Sequence, residues 1–283
     1  MSGYRFCRSD DVPLLVRAYN ECYRVHLPDL PELNVEGFRT AVRTINLWSS
    51  SCMVAFTGQD PIAVLLAAKR ETENQILAIG VHPDHMRQGH GRHMLGSLSQ
   101  KMAILGPPML RVEVPEGRPD WRQFFVACGY RETEAYTDYT REPGPFEGEF
   151  PDAVAPITVD QLQRSGAIDR AARRCWDRAP ETVVNLGERL SGWAIASEER
   201  IEAWLLHDDP SDSERRIVAF ESKNADRAEL FLRLLFARAI GNGARRVRIP
   251  RMHVSEIPED RLLRWGFTPG SRTLAHVARA APG

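Results

Sequence analysis

Apolar residues recur along this chain at two alternating spacings, every second position and then every third or fourth. Short strands and amphipathic helices should therefore follow one another. The stretch YRFCR (residues 4–8) reads as a strand, and Ser9 and Asp10 are caps for a helix over residues 13–23. After the proline-rich loop HLPDLPELN, Asn34 can cap a second helix, VEGFRTAVRTI. WSSSCMVAF and IAVLLAAKR, joined through TGQDP, form a hairpin. NQILAIGV (74–81) is apolar on both faces, as a central strand is. From Arg92 the positions Leu95, Leu98, Met102 and Leu105 keep helical spacing, until Gly106 and Pro107 end the run. MLRVEVP is then a strand, DWRQFFVA a short helix stopped at Gly129, and ETEAYTDYTRE a last strand.

Residues 141–157, REPGPFEGEFPDAVAPI, shift to proline, glycine and acids, the composition of a linker. Beyond them the pattern repeats in outline. A helix over IDRAARRCW, a hairpin of SGWAIAS and RIEAWLLHD, and a central strand RRIVAFES come first. The helix DRAELFLRLLFARAI, a strand RRVRIP and a final helix over RLLRWGF follow. Gly106 and Gly241 each end the long helix shortly before a strand that ends in proline, and Gly129-Tyr130 has a counterpart in Gly266-Phe267. The expected division is a first domain at 1–142, a linker at 143–156 and a second domain at 157–283, in keeping with domains of about 100 to 150 residues.

Charge and composition narrow the functional classes. With 37 Lys and Arg against 38 Asp and Glu, the formal net charge is -1, which gives no reason to expect nucleic acid or an anionic membrane as partner. The five cysteines are scattered without a C-x-x-C pair, so neither a disulfide framework nor a metal site is expected. No segment approaches the roughly 20 apolar residues of a membrane span, and a cytoplasmic protein is expected.

The chemistry concentrates between the central strand and the long helix, at GVHPDHMRQGHGRHML (80–95). A strand-to-helix turn gathers unpaired N-H groups at the positive end of a helix dipole, where an anion is favoured. The plain alternative is a tight turn that caps a helix. The turn lacks the Lys-Ser/Thr pair of a P-loop, and its strand comes late, after a hairpin, which argues against a dinucleotide fold.

This turn, with FFVACGY (124–130) and the element order of residues 3 to about 140, resembles the GNAT family of acyl-CoA-dependent N-acetyltransferases. The resemblance implies an α/β (α+β) fold of two tandem GNAT-like domains, each a mixed, mostly antiparallel sheet flanked by helices. It implies acetyl-CoA as co-substrate and an amine acceptor, small molecule or peptide, attacked directly in a ternary complex. The coenzyme's pyrophosphate would lie on the N-H groups of Gln88, Gly89, His90, Gly91 and Arg92, with Arg87 adding charge. Glycine is expected there because a Cβ would hold the backbone away from the phosphate oxygens. Ile79, Gly80 and Val81 would border the pantetheine arm, and the N-H of Val81 or His82 would polarise the thioester carbonyl.

Departures from the family pattern leave the acid–base groups open. Phe125 stands where many members have a tyrosine thought to protonate the leaving thiolate, and Gln75 occupies the early central strand where a carboxylate is usual. Glu113, which alternates with Val112 and Val114, is the first candidate for general base, and His82 the second. Each has a plainer reading, an ion-paired strand residue and a turn residue respectively. Tyr23, His26, Asp29 and Glu32 belong to the loop that in the family borders the acceptor, and Cys128 reads as a small buried residue. In the second half the matching turn is ESKNADRAEL, which has no glycine pair and opposes phosphate with Glu221 and Asp226. That half is expected to bind no coenzyme and to wall the acceptor site. The acidic HDDPSDSE is read as a solvated turn before an attractor of cations. A non-catalytic acyl-CoA sensor is the alternative to an enzyme.

Overall fold

A computed structural model of the chain describes residues 3–146, 154–172, 174–241, 243 and 245–281. Two compact units account for them: residues up to Glu134 together with Leu274 onward, and Ala135–Thr273.

The first unit opens with β1 (Gly3–Phe6), α1 (Val12–Cys22) and α2 (Val35–Thr44). The N-cap of α1 is Asp11, not Ser9 or Asp10. Its carboxylate makes no cap bond within α1 because it accepts instead from the Arg8 N-H and the Arg5 guanidinium. Asn34 caps α2 as expected, its Oδ1 accepting from Gly37 N at 2.7 Å. The hairpin β2 (Met53–Thr57) and β3 (Asp60–Lys69) turns at Gly58, whose φ of 63° suits glycine. Then come β4 (Glu73–Val81), α3 (His90–Leu105), β5 (Met109–Pro115), α4 (Pro119–Ala127) and β6 (Arg131–Arg141). Pairing is antiparallel from β1 through β4 and parallel between β4 and β5. One apolar layer, with Ile76, Leu95, Leu98 and Val112, lies under α3. A second, with Leu15, Cys22, Phe38 and Val64, lies under α1 and α2.

The second unit repeats this order with β7 (Val154–Ile157), α5 (Val159–Arg164), α6 (Pro180–Leu186), β8 (Ser191–Ala196), β9 (Ile201–Ser211), β10 (Glu214–Ser222), α7 (Ala228–Ile240), β11 (Arg246–His253), α8 (Glu259–Arg264) and β12 (Thr268–Arg279). Its parallel pair is β10 with β11, and its core gathers Leu205, Ile217, Leu235, Phe236 and Ile249 under α7.

Two strands belong to both units. β6 begins in the first and ends in the second, while β12 does the reverse, so the strand order is β1-β2-β3-β4-β5-β12-β6 in one and β7-β8-β9-β10-β11-β6-β12 in the other. The division therefore falls inside β6, ahead of the expected boundary at 142. The closing residues return to the first unit, where Ala280 N donates to Pro108 O at 2.7 Å. Of the expected linker, 147–153 lie outside the described residues, and 154–156 are already strand. Where a helix was expected over IDRAARRCW, the described residues 168–172, 174 and 175 are not helical, and a single 3-10 turn, Trp176–Arg178, follows. The apolar positions of this stretch, Ile168, Ala171, Ala172, Cys175 and Trp176, do keep helical spacing, but tertiary contacts win: Arg174 and, just beyond, Arg178 donate to the carbonyls of Phe220 and Val218 on β10. No helix among the described residues is long and apolar enough to cross a membrane.

Candidate functional site

β4 and β5 pair in register only from Glu73/Met109 to Ile76/Val112. Beyond that both strands run on, β4 to Val81 and β5 to Pro115, without pairing, so a wedge opens between their C-terminal ends. A bulge helps to open it: β3 steps from Leu66 opposite Ala78 to Ala67 opposite Ile76, which leaves Leu77 as an extra residue on β4. His82 N donates to Ile62 O at 2.8 Å, which sets the alternation of the ladder. Gly80 and His82 turn their main-chain groups to β3, whereas Ile79 and Val81 turn theirs into the wedge. Of these groups the Val81 carbonyl accepts from His26 Nε2 at 2.8 Å.

Gly80, grouped with Ile79 and Val81 as a coenzyme contact, faces elsewhere. A Cβ on it would stand 2.3 Å from the Cys22 carbonyl oxygen and 2.6 Å from Tyr23 Cα, so glycine is required for α1 to lie against β4.

The wedge runs out into the turn at 82–89 and then into α3. His82 is half-buried, and its Nδ1 faces Asp84 N at 3.4 Å. Met86, Arg87, Gln88 and Gly89 are exposed. Arg87 (φ 60°) and Gly89 (φ 87°) are both left-handed. Gly89 is the N-cap of α3 and no side chain caps the helix, so the N-H groups of His90, Gly91 and Arg92 are left to outside acceptors. Both glycines have reasons within the fold. Gly89 has open space around its Cα and is needed for its φ, while a Cβ on Gly91 would meet Phe124 Cζ at 3.1 Å and Ile79 Cδ1 at 3.9 Å. His90 is buried, bonded through Nδ1 to the Tyr4 hydroxyl of β1, and Tyr4 also packs on His93 with ring centroids 4.1 Å apart. Burial, and then the nearby His85 and His93, lower the pKa of His90.

The two candidate bases sit very differently. The Glu113 side chain is 4% exposed and lies 3.7 Å from Arg111 Nε, while the same guanidinium bonds to Glu134 at 3.0 Å and approaches Glu73 at 4.0 Å. Burial raises the Glu73 pKa against the opposing pull of Arg111. His82 stands at the end of the wedge, in contact with solvent. Phe125 is buried, packed edge-on against Tyr130, and Gln75 is buried with its Oε1 unpartnered.

From the loop after α1, Tyr23 and His26 reach the wedge, whereas Glu32 pairs with Arg24 at 3.6 Å and Asp29 is exposed. Tyr23 packs on Trp121 of α4, 5.8 Å between centroids, and the Arg118 guanidinium stacks 4.1 Å from the Trp121 ring while reaching His26 O at 3.4 Å. Arg118 and Trp121 had no distinguishing mark in the sequence beyond the polar, aromatic start of a short helix. In the acidic stretch of the second unit, Asp208 and Asp209 lie at the end of β9, where Asp208 pairs with Arg216, and Asp209 with Arg215 and Arg245.

No family model and no curated protein matches the sequence. Solved structures do. A GCN5-related N-acetyltransferase from Sphaerobacter thermophilus is similar over 100% of this chain and 96% of its own, with TM-score 0.65 and 16% identity. A tandem GNAT protein from the clavulanic acid biosynthesis pathway is similar over 100% of both chains, with TM-score 0.62 and 12% identity. The chain has the GNAT fold, twice over. A third structure with this fold, from Anabaena variabilis, is similar over 99% of this chain and 73% of its own, with TM-score 0.67 and 11% identity. The mixed, mostly antiparallel sheets of the two GNAT-like units agree with the architecture that the resemblance implies.

Proposed function

We propose that the first unit is an N-acetyltransferase that moves an acetyl group from acetyl-CoA to an amine by direct attack in a ternary complex. The observation that carries this reading is the wedge between β4 and β5 running into the uncapped N-terminus of α3. An extended amide-bearing arm can pair with the main chain of Ile79 and Val81 as a missing strand would, and a pyrophosphate at its far end meets the N-H groups of Gly89 to Arg92. The amine nitrogen forms its bond to the thioester carbon as the carbon–sulfur bond breaks; the amine loses a proton and the thiolate gains one. His82 is the better-placed base, at the solvent end of the wedge, because Glu113 is held by Arg111. With Phe125 unable to donate, water is the acid in this reading, which suffices for a thiolate with a pKa of about 8.5.

The test is thermal unfolding with and without acetyl-CoA, on the wild type and on Gly89→Glu, followed by thiol release with a panel of amines. At 100 times its dissociation constant the ligand should stabilise the wild type by about 2.7 kcal/mol and the variant not at all. No shift at millimolar coenzyme overturns the reading. A second reading, acyl-CoA binding without chemistry, draws on Phe125 and the locked Glu113; it gives the shift without thiol release under any acceptor.

A further inference from the structure

The second unit repeats the wedge. β10 pairs with β11 only from Glu214/Arg246 to Arg216/Arg248, and the strands then part. The bulge also recurs: β9 steps from His207 opposite Ile217 to Leu206 opposite Ala219, which leaves Val218 extra on β10 as Leu77 is on β4. Counting from the two bulges sets Phe220 in the place of Ile79 and Glu221 in the place of Gly80.

In this unit the groove is filled. Arg174 Nη2 donates to the Phe220 carbonyl at 2.9 Å, the counterpart of the Ile79 carbonyl that faces the open wedge. Arg178 Nε donates to Val218 O on β10 at 2.8 Å, and its Nη1 reaches Arg251 O on β11 at 3.3 Å, so one guanidinium bridges both diverging edges. Both Arg178 terminal nitrogens also bond to the Glu256 carboxylate at 2.8 Å. Glu256 lies 3.4 Å from Arg174 Nε and accepts from His253 N at 2.9 Å. The side chains of Arg174, Arg178 and Glu256 are between 2% and 5% exposed. Strand carbonyls without a neighbouring strand need donors when buried, and the rigid fork of arginine can serve two strands and a carboxylate together.

We propose that Arg174, Arg178 and Glu256 are a built-in plug in the groove of the second unit, so that this unit takes no acyl-CoA and the chain binds a single coenzyme. The single coenzyme rests on the reading of the first unit given above; the plug itself does not. The stretch expected to be helical thereby has a purpose, because it leads Arg174 and then Arg178 to carbonyls on β10, with Arg178 reaching β11 as well. Glu221, in the place where the first unit needs a glycine, adds a carboxylate 3.7 Å from Arg174.

Two measurements on the full chain test this. Arginine modification by phenylglyoxal, mapped by mass spectrometry, should leave Arg174 and Arg178 unreacted while the exposed Arg122 and Arg164 react. Glu256→Gln, which keeps the shape and removes the charge, should make both buried arginines reactive without changing Arg122. Calorimetric titration with coenzyme A should give one equivalent on the wild type and none on Gly89→Glu. Modification of Arg174 and Arg178 at the rate of Arg122 in the wild type overturns the plug, as does a second equivalent or one that survives in Gly89→Glu. If the wild type binds no coenzyme, the acetyltransferase reading falls, and the modification pattern alone decides the plug.

Discussion

The carbonyl oxygen of Cys22 closes off the space beside Gly80, 2.3 Å from where a Cβ would stand. The end of α1 is thereby seated on β4 by backbone-to-backbone contact, and the next residues, Tyr23 to His26, are delivered to the end of the wedge. His26 then reaches the Val81 carbonyl, and Tyr23 reaches Trp121 across the opening. Gly80 acts on the site through packing.

Gly80→Ala should therefore destabilise the protein by about 1–3 kcal/mol, the usual cost of overpacking a filled interior. Gly96, in the middle of α3 with nothing within 4 Å of a Cβ, is the control. Gly96→Ala should stabilise by about 0.5–1 kcal/mol through helix propensity. Urea midpoints of the two variants check both signs; a neutral Gly80→Ala refutes the packing role.

The two glycines of the turn should separate by mechanism. Gly89 needs its positive φ and has room, so Gly89→Asn should cost less than Gly89→Val, because asparagine tolerates the left-handed region and a β-branched residue does not. Gly91 needs room and has ordinary backbone, so Gly91→Ala should cost less than about 1 kcal/mol as the Phe124 ring gives by a few tenths of an ångström. Equal losses for Asn and Val at position 89 would show that conformation is not what selects glycine there.

The strand and helix order of the first unit was legible because its elements keep one period and begin or end on a recognisable signal: Asn34 at the start of α2, and Gly58, Gly106 and Gly129 at the ends. What could not be read was long-range. Nothing in TPGSRTLAHVAR says that its second half belongs to the unit at the other end of the chain, and the eleven-residue β6 gives no local sign that it changes units partway. The turn GVHPDHMRQGHG was legible as a helix N-terminus, but not the division of labour inside it, where Gly80 packs, Gly89 turns and Gly91 makes room for Phe124. Alternation correctly put Glu113 on the opposite face from Val112 and Val114. It could not show that Arg111, two residues earlier on that face, would hold it.

If His82 is the base, His82→Gln should lower kcat by about 10²-fold or more, with the acetyl-CoA-induced thermal shift unchanged. Glu113→Gln should instead lower stability by about 1–3 kcal/mol, short of the usual cost of stranding a buried charge, because Glu73 and Glu134 stay beside Arg111. Its kcat should stay within a few-fold. The opposite pattern, with kcat lost in Glu113→Gln alone, moves the base to β5.

His207 gives the second unit an acid-sensitive stability. Its ring is buried, stacked on Trp193 with centroids 4.5 Å apart, and bonded through Nδ1 to Asp209 at 3.2 Å. Burial, then the charge of Arg215, hold its pKa down to about 4, and Asp209, occupied by Arg215 and Arg245, only partly offsets this. An unfolded histidine titrates near about 6.5. The unfolded chain therefore takes up a proton that the folded chain refuses between these values, so this contribution is fully present above about pH 6.5 and is lost as pH falls toward 4. The gap corresponds to about 3 kcal/mol at most. Denaturant midpoints of the wild type should fall across that window, and those of His207→Gln should fall less, whatever its stability at pH 7. Parallel curves for the two proteins would mean that His207 is protonated in the folded state, with Asp209 outweighing burial.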